Sequence, residues 1–163
     1  MLKAVVIGSP GAGKSTFSRK LRAVTGLHLY YLDRFWHKPD RTTVSRELFV
    51  QQLAEVIKRE EWIIDGNYLH TLEMRLKECD TVFLLDYPLE VCLAGAKSRI
   101  GKAREDMPWI ETEFDEEFKQ WIIDFAKDQL PQIYRLLDEY KETKEIIIFK
   151  SREEADTYLQ NEL

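Results

Sequence analysis

Gly8-Ser9-Pro10-Gly11-Ala12-Gly13-Lys14-Ser15 is the stretch that decides the fold. It fits the pattern G-x-x-x-x-G-K-[ST], and its flanks supply the context that pattern requires. Before it, Leu2 to Ile7 is a short β-branched apolar run, read as a buried strand. After it, Phe17, Leu21 and Val24 recur at helical spacing from Ser15 onward. The glycines let the backbone approach a phosphate closely. Successive N–H groups then converge on the anion, and the following helix offers its positive end. Lys14 supplies a point charge to the β- and γ-phosphates, Ser15 a hydroxyl to Mg²⁺, and Thr16 a second hydroxyl nearby. The loop, residues Gly8 to Thr16, therefore predicts binding of a nucleoside triphosphate with Mg²⁺.

The rest of the chain alternates strand and helix. Further strands are expected at Leu27 to Leu32, Trp62 to Ile64, Thr81 to Leu85 and Ile146 to Phe149. Gly26 ends the first helix, and further helices are expected at Glu47 to Ile57 with Leu48, Leu53, Val56 and Ile57 buried, at Pro88 to about Arg99, and at a last one capped by Ser151. Five strands separated by helices imply an α/β architecture with a parallel sheet covered on both faces. The chain of 163 residues, 44% of them hydrophobic, suits one domain, 1–163, with its own core.

About sixty residues between the fourth and fifth strands break the alternation. Phe114, Phe118, Trp121, Ile122, Phe125 and Gln129, then Ile133, Leu136 and Leu137, give two helices or one kinked at Pro131. Trp121 and Phe125 read as core. Ahead of them, the polar run 100–112 has the composition of a mobile lid, expected to be short and helical.

Ligands of such sheets collect at the carboxyl ends of the strands, which is where the candidate acids lie. Asp33 follows the second strand and Asp65 the third. Phosphoryl transfer needs one acid for Mg²⁺ or its waters and another to orient or deprotonate an acceptor hydroxyl. Asp65 is assigned to the metal side and Asp33 to the acceptor side. Gly66 and Asn67 adjoin Asp65 and are candidate substrate contacts. Lid-borne Arg99 and Arg104, in a cluster with Lys97 and Lys102, would close over the transferring group. Arg75 is placed to take an acceptor phosphate, or else to pair with Glu73 or Glu78 on the surface. Trp36 is a candidate for stacking on a base or sugar, and either Tyr30 or Tyr31 must be buried by strand alternation.

Composition excludes other classes. A formal net charge of −5 disfavours direct, non-specific DNA binding. Cys79 and Cys92 have no metal or disulfide spacing and read as buried small hydrophobes. No apolar run is long enough for a membrane span, and the N-terminus reads as a strand instead of a signal peptide, so a cytoplasmic location is expected.

With these residues placed, the chain resembles the nucleoside monophosphate kinase branch of the P-loop fold. Gly8 to Thr16 resembles the adenylate kinase loop, and Asp65-Gly66 resembles the Asp-Gly after the third strand of those enzymes. Closer still, it resembles the DNA topology modulation proteins. That likeness rests on Tyr31-Leu32-Asp33 with Trp36, Trp62-Ile63-Ile64-Asp65-Gly66-Asn67-Tyr68, Arg75-Leu76, Gly101 to Met107, Phe118 with Trp121, and Lys150 to Glu154. The resemblance implies an adenylate-kinase-like strand order 2-3-1-4-5, ATP or GTP as ligand, and an adenine-side loop containing Ser151 and Arg152. Where adenylate kinases continue Asp-Gly-Phe-Pro-Arg, this chain has Asp65-Gly66-Asn67-Tyr68, so a different acceptor site is expected. Two functions follow from the resemblance. One is a small-molecule kinase acting on a nucleotide, nucleoside or related metabolite. The other is a nucleotide-binding regulator that affects DNA topology through a partner.

Overall fold

A computed structural model describes residues 1–163. Five parallel strands, β1 (Lys3–Gly8), β2 (Leu29–Tyr31), β3 (Trp62–Asp65), β4 (Thr81–Leu85) and β5 (Glu145–Phe149), form one sheet in the order β2-β3-β1-β4-β5. The sheet is parallel because every connection is a crossover carrying helix, and its central strands β1, β3 and β4 are buried on both faces, while the edge strand β5 is partly exposed. Side chains alternate accordingly. Ala4 and Val6 enter one core of 18 buried residues, and Val5 and Ile7 enter the other, of 17. Helices α1 (Lys14–Thr25) and α8 (Arg152–Asn161) cover the first face through Phe17, Leu21, Ala155 and Leu159. Phe17 packs its ring 5.1 Å from that of Phe83 there. The second face is covered by α3 (Arg46–Ile57), α4 (Leu72–Glu78) and α7 (Leu130–Tyr140).

The elements expected from sequence are present, with local corrections. In α3 the buried stripe is Phe49, Leu53, Val56 and Ile57, while Leu48 is 42% exposed. Positions i, i+4, i+7 and i+8 share one face, and Leu48 is a turn-fraction off it. The second strand is shorter than expected, because Leu32 opens a one-turn helix, α2 (Leu32–Trp36). Tyr31, not Tyr30, is the buried tyrosine.

Helix α5 (Leu89–Ser98) is followed by the segment 100–112, which contains no helix. The expected short helical lid is instead an irregular loop, closed by Gly101 N–H donating to the Glu111 carbonyl at 2.7 Å. Gly101 and Pro108 leave it no run of residues on which a helix could propagate. Beyond it, α6 (Glu116–Asp124), capped by the Asp115 carboxylate, continues through a π-helical turn, Phe125–Gln129, into α7. Pro131, in the first turn of α7, has no N–H to donate four residues back, and the wider π turn absorbs that gap. The structure thus resolves the two alternatives into one continuous, bulged rod.

Candidate active site

The sheet order puts β1 in the middle with β3 beside it and β2 beyond. The register pairs Val6 with Asp65, and Asp65 with Tyr31. The phosphate loop after β1, Asp65 at the end of β3, and Asp33 just past β2 therefore lie side by side along one edge.

The loop is held from several directions. Gly13 caps α1 in the left-handed region at φ 95°, a conformation that a β-carbon penalises, which is why glycine stands there. Ser9 N–H donates to the Leu85 carbonyl at 3.3 Å, and Ala12 N–H to the Ser9 carbonyl at 3.0 Å. From outside, α5 packs directly onto it. A β-carbon on Gly95 would stand 2.1 Å from the Gly11 carbonyl oxygen. Asn67 is the inner brace, receiving the Gly8 N–H at 3.0 Å and donating to the Gly8 carbonyl at 2.8 Å. Asn67 was expected to be a substrate contact. It borders the cleft, but its amide is spent on Gly8.

A cavity of about 500 Å³ opens in front of Lys14 and Ser15, and Pro10, Asp33, Trp36, Asp65, Gly66, Asn67, Arg99 and Arg104 line it too. These residues, candidates from the sequence, line one cavity. Tyr68 O–H donates to the Asp33 carboxylate at 2.7 Å, fixing its orientation. Asp65 is buried, and its Oδ2 has no donor. Burial pushes its carboxyl up to about 6, with Asp33 and Asp106 adding to the shift and Lys14 and the Ser15 hydroxyl opposing it. An orphaned carboxylate oxygen beside the Ser15 hydroxyl is a pair of oxygen donors suited to Mg²⁺, which keeps several waters and takes few protein ligands.

Arg99 ends α5, and burial together with neighbouring Arg104 holds its guanidinium below the ordinary arginine range. Its Nε and the Arg104 Nη1 are buried without partners. Arg99 also lines a second cavity, with Gly11, Ala12, Gly13, Thr16 and Arg152, on the outer side of the loop. Arg152, a candidate nucleotide contact, lines that cavity. Ser151 does not share that cavity, and its hydroxyl accepts the Glu154 N–H at 3.2 Å as the cap of α8.

Two expectations are overturned. Arg75 neither faces an acceptor nor pairs on the surface. It is fully buried, and its guanidinium donates to the carbonyls of Gly66 (2.8 Å), Asn67 and Tyr68 (3.3 Å). Burial brings its pKa down to about 9. Arg75 is the post around which the loop after β3 is wound. Trp121 is not core. It is 47% exposed, stacks on Phe118 with centroids 5.9 Å apart, and lines the cavity.

Asp106, Glu111, Trp109 and Gln129 line the cavity without being site candidates in the sequence, as do His37, Tyr68 and Met107. The first three ride on the irregular lid, where no periodicity announces orientation. The fourth is turned inward by the π segment. Arg104 lies 3.7 Å from Asp106 and 3.6 Å from Glu111. The lid is pinned over the cavity. The Glu105 carboxylate receives the Tyr31 hydroxyl and pairs with Arg22 at 3.1 Å, while Arg34 donates to the carbonyls of Glu105 and Met107.

No family model matches the chain. Over 98 residues it is 32% identical to the adenylate kinases of Thermotoga petrophila and Thermotoga maritima, a stretch covering 58% of this chain and 43% of each relative. The chain thus matches less than half the length of those curated relatives. Among solved structures, the shikimate kinase of Bacteroides thetaiotaomicron superposes with a TM-score of 0.58 at 18% identity, covering 98% of this chain and 94% of that one. The Acinetobacter baumannii shikimate kinase solved with shikimate gives 0.60 at 19% identity over 98% and 90%. An unliganded sugar kinase from Janibacter gives 0.52 at 18% identity over 100% and 92%. The fold is that of the P-loop kinases.

Proposed function

We propose that the protein is a phosphotransferase that moves the γ-phosphoryl group of ATP, or of GTP in its place, to a hydroxyl-bearing small molecule of the nucleotide, nucleoside or related-metabolite class. The observation that carries the reading is the convergence of Lys14, Ser15, Asp65 and Asp33 on one cavity, with Arg99 bordering both that cavity and the groove outside the loop. The donor lies on the loop with its outer part toward Arg152. Its γ-phosphate points into the cavity at Lys14. Ser15 and Asp65 would hold Mg²⁺, which when bound neutralises charge on the β- and γ-phosphates.

On the other side, Asp33 sits where an acceptor hydroxyl would meet the γ-phosphorus. Its carboxylate, oriented by Tyr68, accepts the hydroxyl proton as the acceptor oxygen bonds to phosphorus and the bond from phosphorus to the β-phosphate oxygen breaks. The unpartnered N–H groups of Arg99 and Arg104 are available to charge developing on the equatorial oxygens. The strapped lid excludes water, which otherwise would compete as acceptor.

The test is nucleotide-diphosphate release in a coupled assay with ATP and Mg²⁺, across nucleosides, nucleotides and sugars. An accepted molecule raises release, and Lys14→Ala lowers the stimulated rate at least about a hundredfold. Protein that binds ATP yet shows no acceptor-stimulated release refutes the reading.

A further inference from the structure

The charge balance of the acceptor half of the cavity bears on what it admits. Lys14, Arg99 and Arg104 are its only lysine or arginine linings, set against Asp33, Asp65, Asp106 and Glu111. Lys14 belongs to the phosphate loop, and Arg99 borders the donor groove as well. Arg99 is thus shared with the donor, and Asp106 and Glu111 already flank Arg104 at 3.7 and 3.6 Å.

Other cations nearby are committed elsewhere. Arg75 is buried in the loop after β3, and Arg34 holds the lid carbonyls of Glu105 and Met107. Arg41 lies over the Trp109 ring, 5.8 Å from its centroid. None of the three lines the cavity. A phosphomonoester entering here would meet Asp33, Asp106 and Glu111, against which stand only the flanked Arg104, Arg99, which is shared with the donor's transferring phosphoryl group, and the His37 imidazole, and like charges brought together at such a site repel strongly. Carboxylates are hydrogen-bond acceptors only, so what they select is O–H or N–H. Among the remaining walls, Trp36, Trp109, Trp121 and Phe118 are flat and largely apolar, suited to one face of a ring.

We infer that the acceptor is an uncharged, hydroxyl-bearing ring compound of the nucleoside or sugar type, and that phosphorylated acceptors are excluded by the carboxylates of the lid. This rests on the phosphotransferase reading above. It departs from the resemblance to nucleoside monophosphate kinases, whose acceptors already carry a phosphate. The reaction balances without a further reactant. The acceptor's O–H bond and the donor's terminal phosphoanhydride bond break, a phosphate ester forms, and the proton passes to Asp33.

The experiment measures ATP-dependent ADP release and intrinsic tryptophan fluorescence with matched probes: adenosine, thymidine and D-ribose against AMP, dTMP and D-ribose phosphate. The expected result is turnover with at least one uncharged probe, with kcat/KM at least about a hundredfold above its phosphorylated counterpart. That probe should also quench tryptophan fluorescence, as its counterpart does not. Glu111→Gln, which releases Arg104 from one carboxylate, should narrow the preference about tenfold, and Trp121→Ala should raise KM for the uncharged probe without raising KM for ATP. Preferred use of the phosphorylated probes overturns the inference and leaves the phosphotransferase intact. Failure of every probe, in protein that binds ATP, overturns both.

Discussion

Replacing Gly95 by alanine sets two effects of opposite sign against each other. In a helix interior, alanine is better than glycine by about 1 kcal/mol, because glycine loses more backbone entropy on folding. Gly95 lies inside α5, so helix propensity alone makes the change stabilising. The packing says otherwise. The new methyl would stand 2.1 Å from the Gly11 carbonyl oxygen and 3.0 Å from the Arg152 guanidinium. The arginine can swing aside, but the carbonyl belongs to the phosphate loop, whose own Gly11 faces the Cys92 carbonyl at a virtual β-carbon distance of 2.0 Å. Helix and loop must separate.

Overpacking of this kind costs up to about 3 kcal/mol, so the net loss is about 2 kcal/mol. For a chain of this size that lowers Tm by about 4–8 °C. The same displacement pulls the loop N–H groups off the phosphates. ATP affinity should therefore fall more than a global stability loss explains, since the folded fraction at assay temperature hardly changes. Thermal denaturation and an ATP titration monitored by fluorescence measure both. A G95A protein with raised Tm and unchanged ATP affinity would refute the claim that α5 is seated on the loop.

Other outcomes follow from the same geometry. Asp65 titrates at about 6 in the folded protein against 3.8 as a free carboxyl. The folded state therefore binds the extra proton, and the metal-free protein loses stability as pH rises through that window, by up to about 3 kcal/mol. In urea denaturation with a chelator, Asp65→Asn should be stabilised relative to the parent at about pH 8 and not at about pH 4, while phosphoryl transfer is lost. Equal stability differences at both values would count against a buried, unpartnered carboxylate. Arg75→Met leaves the Gly66 and Asn67 carbonyls without their guanidinium donor, while the Tyr68 carbonyl keeps the Thr71 N–H and hydroxyl, so it should cost about 3 kcal/mol in chemical denaturation. A near-neutral result would mean that Arg75 is the surface residue its sequence neighbours suggest. Glu105→Gln, by weakening the half-exposed Arg22 and Tyr31 contacts, should change global stability by less than about 1 kcal/mol. It should nevertheless speed hydrogen exchange across 100–112 several-fold, and unchanged exchange would show that the strap does not hold the lid.

What the sequence made legible follows from how each feature is built. The phosphate loop is contiguous, and its chemistry depends on backbone conformations that only particular residues permit, so eight residues suffice to read it. Asp33 and Asp65 were legible because strand ends in a parallel sheet point to one edge. Arg75 was not, because charge on a short helix looks like surface until the loop it supports is seen wrapped around it. Asn67 broke the adenylate kinase pattern, and the structure gives the break a physical role as the brace of Gly8. Trp121 adjoins the buried Ile122, and a step of one residue turns about 100° around a helix. That places it at the margin of the stripe, where only the neighbouring lid decides between core and cleft. Phe49, by contrast, lies on the buried stripe by spacing alone, and Leu48 is one residue out of phase with it. The acids of the lid had no periodic signal, and they are the residues on which acceptor choice turns.

The central claim is that a donor phosphate on the loop reaches an acceptor hydroxyl beside Asp33. Phosphorus NMR of the protein with ATP, Mg²⁺ and the uncharged acceptor panel tests it directly. The account predicts that the γ-phosphate resonance is replaced by a phosphomonoester resonance of equal intensity, that ADP appears in step, and that Asp33→Asn suppresses both while ATP still binds. Conversion of ATP to ADP and inorganic phosphate alone, or an ester formed equally well by Asp33→Asn, would contradict it.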